Sequence, residues 1–229
     1  MSIEQLTLNL HERDDATWAN FYVGENQKLV KALQELEDLS QPLVYLWGKS
    51  GVGITHLLLA SCNQFNARNF NAMYVSLKDP RITPEFFLDL EQVTWLGIDD
   101  VDVMVDVPAW AETIFYCLNE RLNRKVVTIF GAHATPEALS LTLLDLKSRL
   151  NSGLLFAVQE LDDAGRLAAL QLRAKFLRLD LPLLTARFLL THYVRDLRAL
   201  FALLKKLDYA SLAAQRCLTI PFVKQFMYH

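Results

Sequence analysis

Leu43-Val44-Tyr45-Leu46-Trp47-Gly48-Lys49-Ser50-Gly51-Val52-Gly53-Ile54-Thr55-His56 is the stretch on which the fold turns. The apolar run Leu43–Trp47 predicts a buried strand, and Thr55 to Gln64 reads as a helix. A glycine-rich turn between a strand and a helix is where backbone N–H groups can curl around phosphate at a helix N-terminus. The spacing Gly48-x4-Gly53-x-Thr55 is that of a phosphate-binding loop except at one position. Ile54 stands where the phosphate-binding Lys belongs, and an aliphatic side chain brings no charge to β- and γ-phosphates. Lys49 lies in the loop at a different place. Gly48, Gly51, Val52, Gly53, Ile54, Thr55 and His56 are the candidate nucleotide contacts.

Working outward, the same alternation recurs. Ala72 to Leu77, Thr94 to Ile98, Val126 to Phe130 and Leu154 to Val158 are further short, largely apolar runs. Between them lie helical patterns: a start at Thr83-Pro84-Glu85, a helix from Pro108 to about Arg124, and one around Leu143 to Leu150. Alternating strands and helices with nearly all-apolar strands predict a parallel sheet buried on both faces. After Asp162 the strand signals stop. Arg166–Arg178, Pro182–Tyr193, Arg195–Asp208 and Pro221 onward read as helices, with Leu197, Leu200, Leu204 and Leu207 at helical spacing. The expected fold class is therefore α/β, a P-loop parallel-sheet domain (residues 16–162) followed by a small all-helical domain (163–229).

The run Leu96-Gly97-Ile98 ends in Asp99-Asp100. After a strand, and about 45 residues beyond a P-loop, such a pair reads as a Walker B element. Its first acid holds Mg²⁺ together with the loop hydroxyl, here Thr55, and its second orients the attacking water.

With 229 residues and 52% hydrophobic side chains, the chain has ample material for a core, and disorder is excluded. No apolar run reaches the ~18 residues of a membrane span, and the N-terminus carries no secretory pattern. Three scattered cysteines, Cys62, Cys117 and Cys217, form no CxxC and suit a reducing, cytoplasmic setting. The net charge of −3 hides a split. Residues 1–162 carry 12 Lys+Arg against 22 Asp+Glu, and residues 163–229 carry 11 against 4. The second part is thus able to face an anion or an acidic partner.

Phe21-Tyr22-Val23-Gly24-Glu25-Asn26, the loop Gly48–His56, Ile98-Asp99-Asp100, Leu146-Lys147-Ser148-Arg149-Leu150 and Val194-Arg195-Asp196-Leu197 occur in an order that resembles the AAA+ ATPase core of the bacterial replication initiator DnaA. The stretch Leu207–Lys224 is similar to the end of the DnaA-related regulatory inactivators. The chain stops where DnaA continues into a helix-turn-helix, so sequence-specific DNA binding is not expected. This resemblance implies that the helical part is an AAA+ lid and that the protein regulates initiation by stimulating hydrolysis of DnaA-bound ATP. Arg149 matches the arginine finger, which acts in trans, and Arg195 the sensor II arginine. ADP is the implied ligand, with Mg²⁺ at Thr55 and Asp99. Gln5-Leu6-Thr7-Leu8-Asn9-Leu10, within residues 1–15, is similar to a motif that binds the DNA polymerase sliding clamp. Leu6, Leu8 and Leu10 alternate so as to fill one groove while Gln5 bonds at its edge. Implied partners are the clamp and DnaA, with self-association into a homodimer or homo-oligomer left open and no membrane involved.

The chain departs from the family at two places. Ile54 replaces the Walker A cation, and in the sensor I region Ala132-His133 replaces an Asp-Arg pair. Both argue against hydrolysis by this chain itself, so it is expected to be an activator and not an ATPase. Two other readings stand beside this one. In the first, the chain is a self-contained P-loop NTPase of another pathway with Lys49 supplying the charge. In the second, it is an adaptor bridging clamp and DnaA without nucleotide.

Overall fold

The computed structural model describes residues 16–36, 42–193, 196–214 and 216–226, with backbone only at Val105 and Asp106. The candidate clamp residues Gln5, Leu6, Leu8 and Leu10, and the sensor II candidate Arg195, lie outside the described residues. The chain packs as two units, one built on Asn26–Gln159 and the other on Glu160 onward together with Ala19–Glu25.

The first unit opens with helix α1 (Gln27–Gln34) and strand β1 (Leu43–Trp47). After them come helix α2 (Ile54–Ala67), β2 (Ala72–Ser76), β3 (Trp95–Asp99), helix α3 (Pro108–Arg124), β4 (Val127–Ala132), helix α4 (Leu144–Asn151) and β5 (Leu154–Ala157). The strands pair in parallel in the order β2-β3-β4-β1-β5, with Val44 opposite both Ile129 and Leu154. Burial follows that order. Every residue of central β3 is buried, and Val44, Tyr45 and Leu46 of β1 are fully so, whereas β2 and β5 at the edges are half-buried. The near-continuous apolar runs were the right signal, because a central parallel strand has helices over both faces.

Some boundaries differ from expectation for physical reasons. Thr83-Pro84-Glu85 opens a short 3-10 helix, Pro84–Asp89, and not an α-helix. Phe86 N–H bonds to the Thr83 carbonyl, and Phe87 turns into the core to meet the Trp110 ring edge-on at 5.8 Å. A second 3-10 turn, Val101–Asp106, follows Asp99, the last residue of β3, and Asp100. Helix α1 and the 3-10 turn Trp18–Asn20 are further elements, the helix burying Leu29, Val30 and Leu33 at helical spacing.

The second unit consists of α5 (Asp163–Phe176), α6 (Leu183–His192), α7 (Leu197–Ala214) and the short α8 (Ile220–Lys224). Its own core gathers Leu170, Ala174, Leu189, Leu200, Leu204 and Val223. Helix α7 runs six residues past the expected Asp208, because alanines and a serine continue the helix after burial has ended at Leu207. Asp162 caps α5, its carboxylate accepting from the Gly165 N–H at 2.7 Å. No described helix is long and apolar enough to cross a membrane.

Arg121 is the unusual core residue, a guanidinium only 2% exposed. It donates to Thr128 Oγ1 (2.8 Å) and to the carbonyls of Val93 (2.9 Å) and Val127 (2.7 Å), fastening α3 to the ends of β3 and β4. Burial lowers its pKa to about 10. Replacing it strands buried carbonyls, so Arg121→Met is expected to lower the unfolding free energy by about 2–4 kcal/mol. Urea denaturation checks this, and a change below about 1 kcal/mol would mean the guanidinium is not a fastener.

Candidate functional site

The loop between β1 and α2 has the backbone that a phosphate cradle requires. Gly51 and Gly53 take φ of 86° and 104°, conformations that side chains resist, and Gly53 caps α2. The first-turn N–H groups of α2 therefore open toward the loop, as a bound anion needs. Gly48, Gly51, Val52 and Gly53 lie in the turn as the sequence places them, and Lys49 is exposed on it.

Thr55 ties this loop to the acids of β3. Its hydroxyl donates to Asp99 Oδ2 at 2.7 Å, and Tyr74 on β2 donates to the same oxygen at 2.9 Å. Asp99 Oδ1 accepts from the Asp100 N–H at 2.9 Å. Asp99 is 4% exposed, and burial raises its carboxyl pKa above the ordinary value against the pull of the Thr55 and Tyr74 hydrogen bonds. Thr55 and Asp99 offer Mg²⁺ the hard oxygens it prefers, since a hydroxyl that gives its proton to a carboxylate keeps lone pairs to coordinate with. Among the described residues no cluster of three His, Cys, Asp or Glu side chains gathers around a metal.

Ile54 does not face outward. It is buried in the first turn of α2, and its Cγ2 lies 2.7 Å from where a Cβ on Gly131 would sit. The side chain that replaces the Walker A cation therefore packs against the end of β4. His56 is likewise engaged on the protein side, its Nε2 3.0 Å from the Thr17 carbonyl oxygen.

The other acids at the carboxyl end of the sheet are also engaged within the chain. Asp100 adopts a left-handed φ of 59° and accepts from Ser76 Oγ at 2.7 Å and from Lys78 Nζ at 2.6 Å. His133, following β4, bonds through its backbone N–H and ring Nδ1 to Asp102, the latter contact at 2.8 Å. Sequence reasoning missed Tyr74, Ser76, Lys78 and Asp102. A signal was available: Tyr74 and Ser76 are polar residues two apart on an otherwise apolar strand, hence on one face.

Arg149 lies on a separate surface. Leu146 and Leu150 are fully buried and fix one face of α4, which leaves Arg149 exposed in the last turn. Lys147 Nζ donates to the carbonyls of Glu137 (2.6 Å) and Leu139 (3.0 Å), holding the preceding loop against the helix. Among the described residues no carboxylate forms an ion pair with Arg149.

A P-loop on a five-stranded parallel sheet of this order, followed by a helical unit, defines an AAA+ domain with its lid. The family profile for the bacterial DnaA ATPase domain matches residues 13–157, and the profile for the Hda lid domain matches residues 163–227. The chain belongs to the Hda/DnaA-related AAA+ family, a family of replication regulators. Among solved structures it resembles domain III of DnaA from Thermotoga maritima, with a TM-score of 0.80 and 22% identity over 94% of this chain and 98% of that one. DnaA of Aquifex aeolicus, solved with AMPPCP bound, aligns with a TM-score of 0.69 and 26% identity over 85% of this chain. The match spans 65% of that DnaA chain. RuvB of Thermotoga maritima shares the fold at 15% identity, with a TM-score of 0.67.

Gly131 is where Ile54, Asp99 and Leu58 of α2 converge, and a Cβ there would come within 2.7–2.9 Å of all three. Gly131→Ala is expected to cost about 1–3 kcal/mol, the usual penalty of overpacking. Chemical denaturation measures it. Pairing Gly131→Ala with Ile54→Ala, which removes the contacting Cγ2, should cost less than the sum of the two single effects.

Proposed function

We propose that this chain is a negative regulator of DNA replication initiation that stimulates hydrolysis of ATP bound to DnaA and turns over little ATP itself. The observation that carries the reading is Arg149, an exposed guanidinium on a helix whose other face is anchored in the core. A guanidinium that enters a neighbour's site beside the γ-phosphate stabilises transition-state charge, worth ~10³–10⁵ in rate. Such a residue needs a rigid base and no partner of its own, and Leu146, Leu150 and Lys147 supply the base.

The chain's own loop would hold a nucleotide in a different manner. Backbone N–H groups of Gly51 to Thr55 would cradle the phosphates, and ADP is the expected ligand, with Arg195 as its charged contact. The AMPPCP bound to Aquifex aeolicus DnaA supports a nucleotide at this loop. Mg²⁺, where bound, would be held by Thr55 and Asp99 and would neutralise phosphate charge. With Ile54 turned inward, no side chain at that position meets the β- and γ-phosphates, which is why activity is assigned to the partner's site. Residues 5–10 would tether the protein to the sliding clamp on DNA, with Leu6, Leu8 and Leu10 in one groove.

Two experiments test the reading. Arg149→Ala should abolish stimulation of DnaA-ATP hydrolysis in the presence of DNA-loaded clamp while leaving the melting temperature and nucleotide binding unchanged. Arg149→Lys, which keeps a charge without the planar fork, should rescue poorly. Full stimulation by Arg149→Ala would refute the mechanism. For the tether, Gln5→Ala with Leu6→Ala should remove clamp capture in a pull-down without altering the fold. Clamp retained by the double variant would assign the contact to another surface.

A further inference from the structure

Asp100, the acid that directly follows β3, is placed where, in P-loop proteins, a carboxylate orients the attacking water. Here Asp100 has two neighbours of its own. Ser76 ends β2 beside Asp99 in the parallel register, so its hydroxyl comes within reach of the residue that follows, at 2.7 Å from Asp100 Oδ2. Two residues later Lys78 turns back, and its ammonium sits 2.6 Å from Asp100 Oδ1. Each carboxylate oxygen thus receives one donor from the β2 end, and the left-handed backbone at Asp100 helps to present the group to them.

We infer that Lys78 is a positioning residue that holds Asp100 as an internal ion pair and keeps this site from hydrolysing ATP, independently of the missing Walker A cation. The inference rests on reading the loop as a nucleotide cradle and adds a second lock to that site. A carboxylate bonded at one oxygen to an ammonium and at the other to a hydroxyl is a poorer acceptor for a water proton. Its charge is partly compensated, and one lone pair on each oxygen already faces a fixed donor. An exposed ion pair alone contributes little. This one has its carboxylate side chain only 17% exposed and a second donor behind it, so the arrangement is a small network and not a lone surface contact. Two locks explain why neither substitution alone should yield an ATPase. Restoring a cation at position 54 leaves Asp100 engaged, and freeing Asp100 leaves the phosphates without the cation.

The reaction to be read is ATP hydrolysis by the isolated chain. Water oxygen bonds to the γ-phosphorus as the bond to the β,γ-bridging oxygen breaks, releasing ADP and inorganic phosphate, with the water protons passing to phosphate and solvent. Phosphate release is measured for the full-length chain, for Ile54→Lys, for Lys78→Met, and for both substitutions together. Turnover should stay at background in each single variant and rise at least tenfold in the double variant. Lys78→Arg in the Ile54→Lys background should keep the site silent, because it preserves the pair. Ser76→Ala in that background should give a smaller rise than Lys78→Met. The ion pair has its own readout: Lys78→Met and Asp100→Asn should each lower the melting temperature, and their combination no further than the larger single effect. Equal turnover in Ile54→Lys with and without Lys78→Met, whether high or absent, overturns the lock, and so does additivity of the two melting shifts. Stimulation of DnaA by Lys78→Met is measured in parallel. Its loss would count against the finger surface as assigned, while turnover of the isolated chain judges Lys78 alone.

Discussion

The hydrogen bond from Thr55 to Asp99 is the contact on which the nucleotide site depends. It joins the first turn of α2, the helix that follows β1, to the end of β3, although β4 lies between β1 and β3 in the sheet. In water such a bond is worth little, but Asp99 is buried, and a hydrogen bond to a charged group contributes about 1.5–3 kcal/mol even where, as here, Tyr74 and the Asp100 N–H remain as donors. The fold therefore needs α2 to start where it does, and that start sets the glycine turn above it. Gly131 permits the approach, because any side chain there would push the helix away from β4 and β3 together.

The same contact makes sense of Ile54. In the first turn of a helix clamped this closely to the sheet, residue 54 has core on its inner side. An isoleucine satisfies that surface by packing at Gly131, where a lysine would have to leave it for the phosphates. The substitution thus exchanges a functional charge for apolar burial. The remaining polar groups follow the same trend: Asp99, Asp100 and Asp102 all find donors inside the chain, namely Thr55 and Tyr74, Ser76 and Lys78, and His133. A site whose acids are internally bonded is stable without a ligand, and a ligand must compete with those bonds.

Much of this was legible in the chain itself. The parallel sheet could be read because its strands are short apolar runs separated by helical spacing, whereas Arg149 stood out only because Leu146-Lys147-Ser148-Arg149-Leu150 resembles the finger segment of DnaA-related ATPases. The partners of the acids could be read only in part, from Tyr74 and Ser76 as polar residues on one face of β2. Tyr74, Ser76 and Lys78 reach Asp99 and Asp100 only through the pairing of β2 with β3, a register that no local pattern specifies. The contact by which Asn26, just before α1, exchanges hydrogen bonds with Gln159 at the far end of the first unit is equally invisible in the sequence, although Leu29, Val30 and Leu33 of α1 itself do recur at helical spacing. Long-range polar contacts leave little trace in periodicity.

What separates the two candidate functional surfaces is how their charge is compensated. At the carboxyl end of the sheet, each acid is neutralised or hydrogen-bonded before any ligand arrives, so a ligand gains only the difference between its contacts and those already made. On α4 the guanidinium of Arg149 is carried by a helix with a rigid apolar face and is exposed, with no ion-paired carboxylate among the described residues. Moving it into a partner's phosphate site costs its hydration and returns bidentate, charge-assisted bonds, which are roughly twice as strong as neutral ones. The acids described at the sheet end are thus already engaged, while the exposed Arg149 guanidinium is not ion-paired among the described residues. That contrast is what the proposed action on a neighbour's nucleotide draws on.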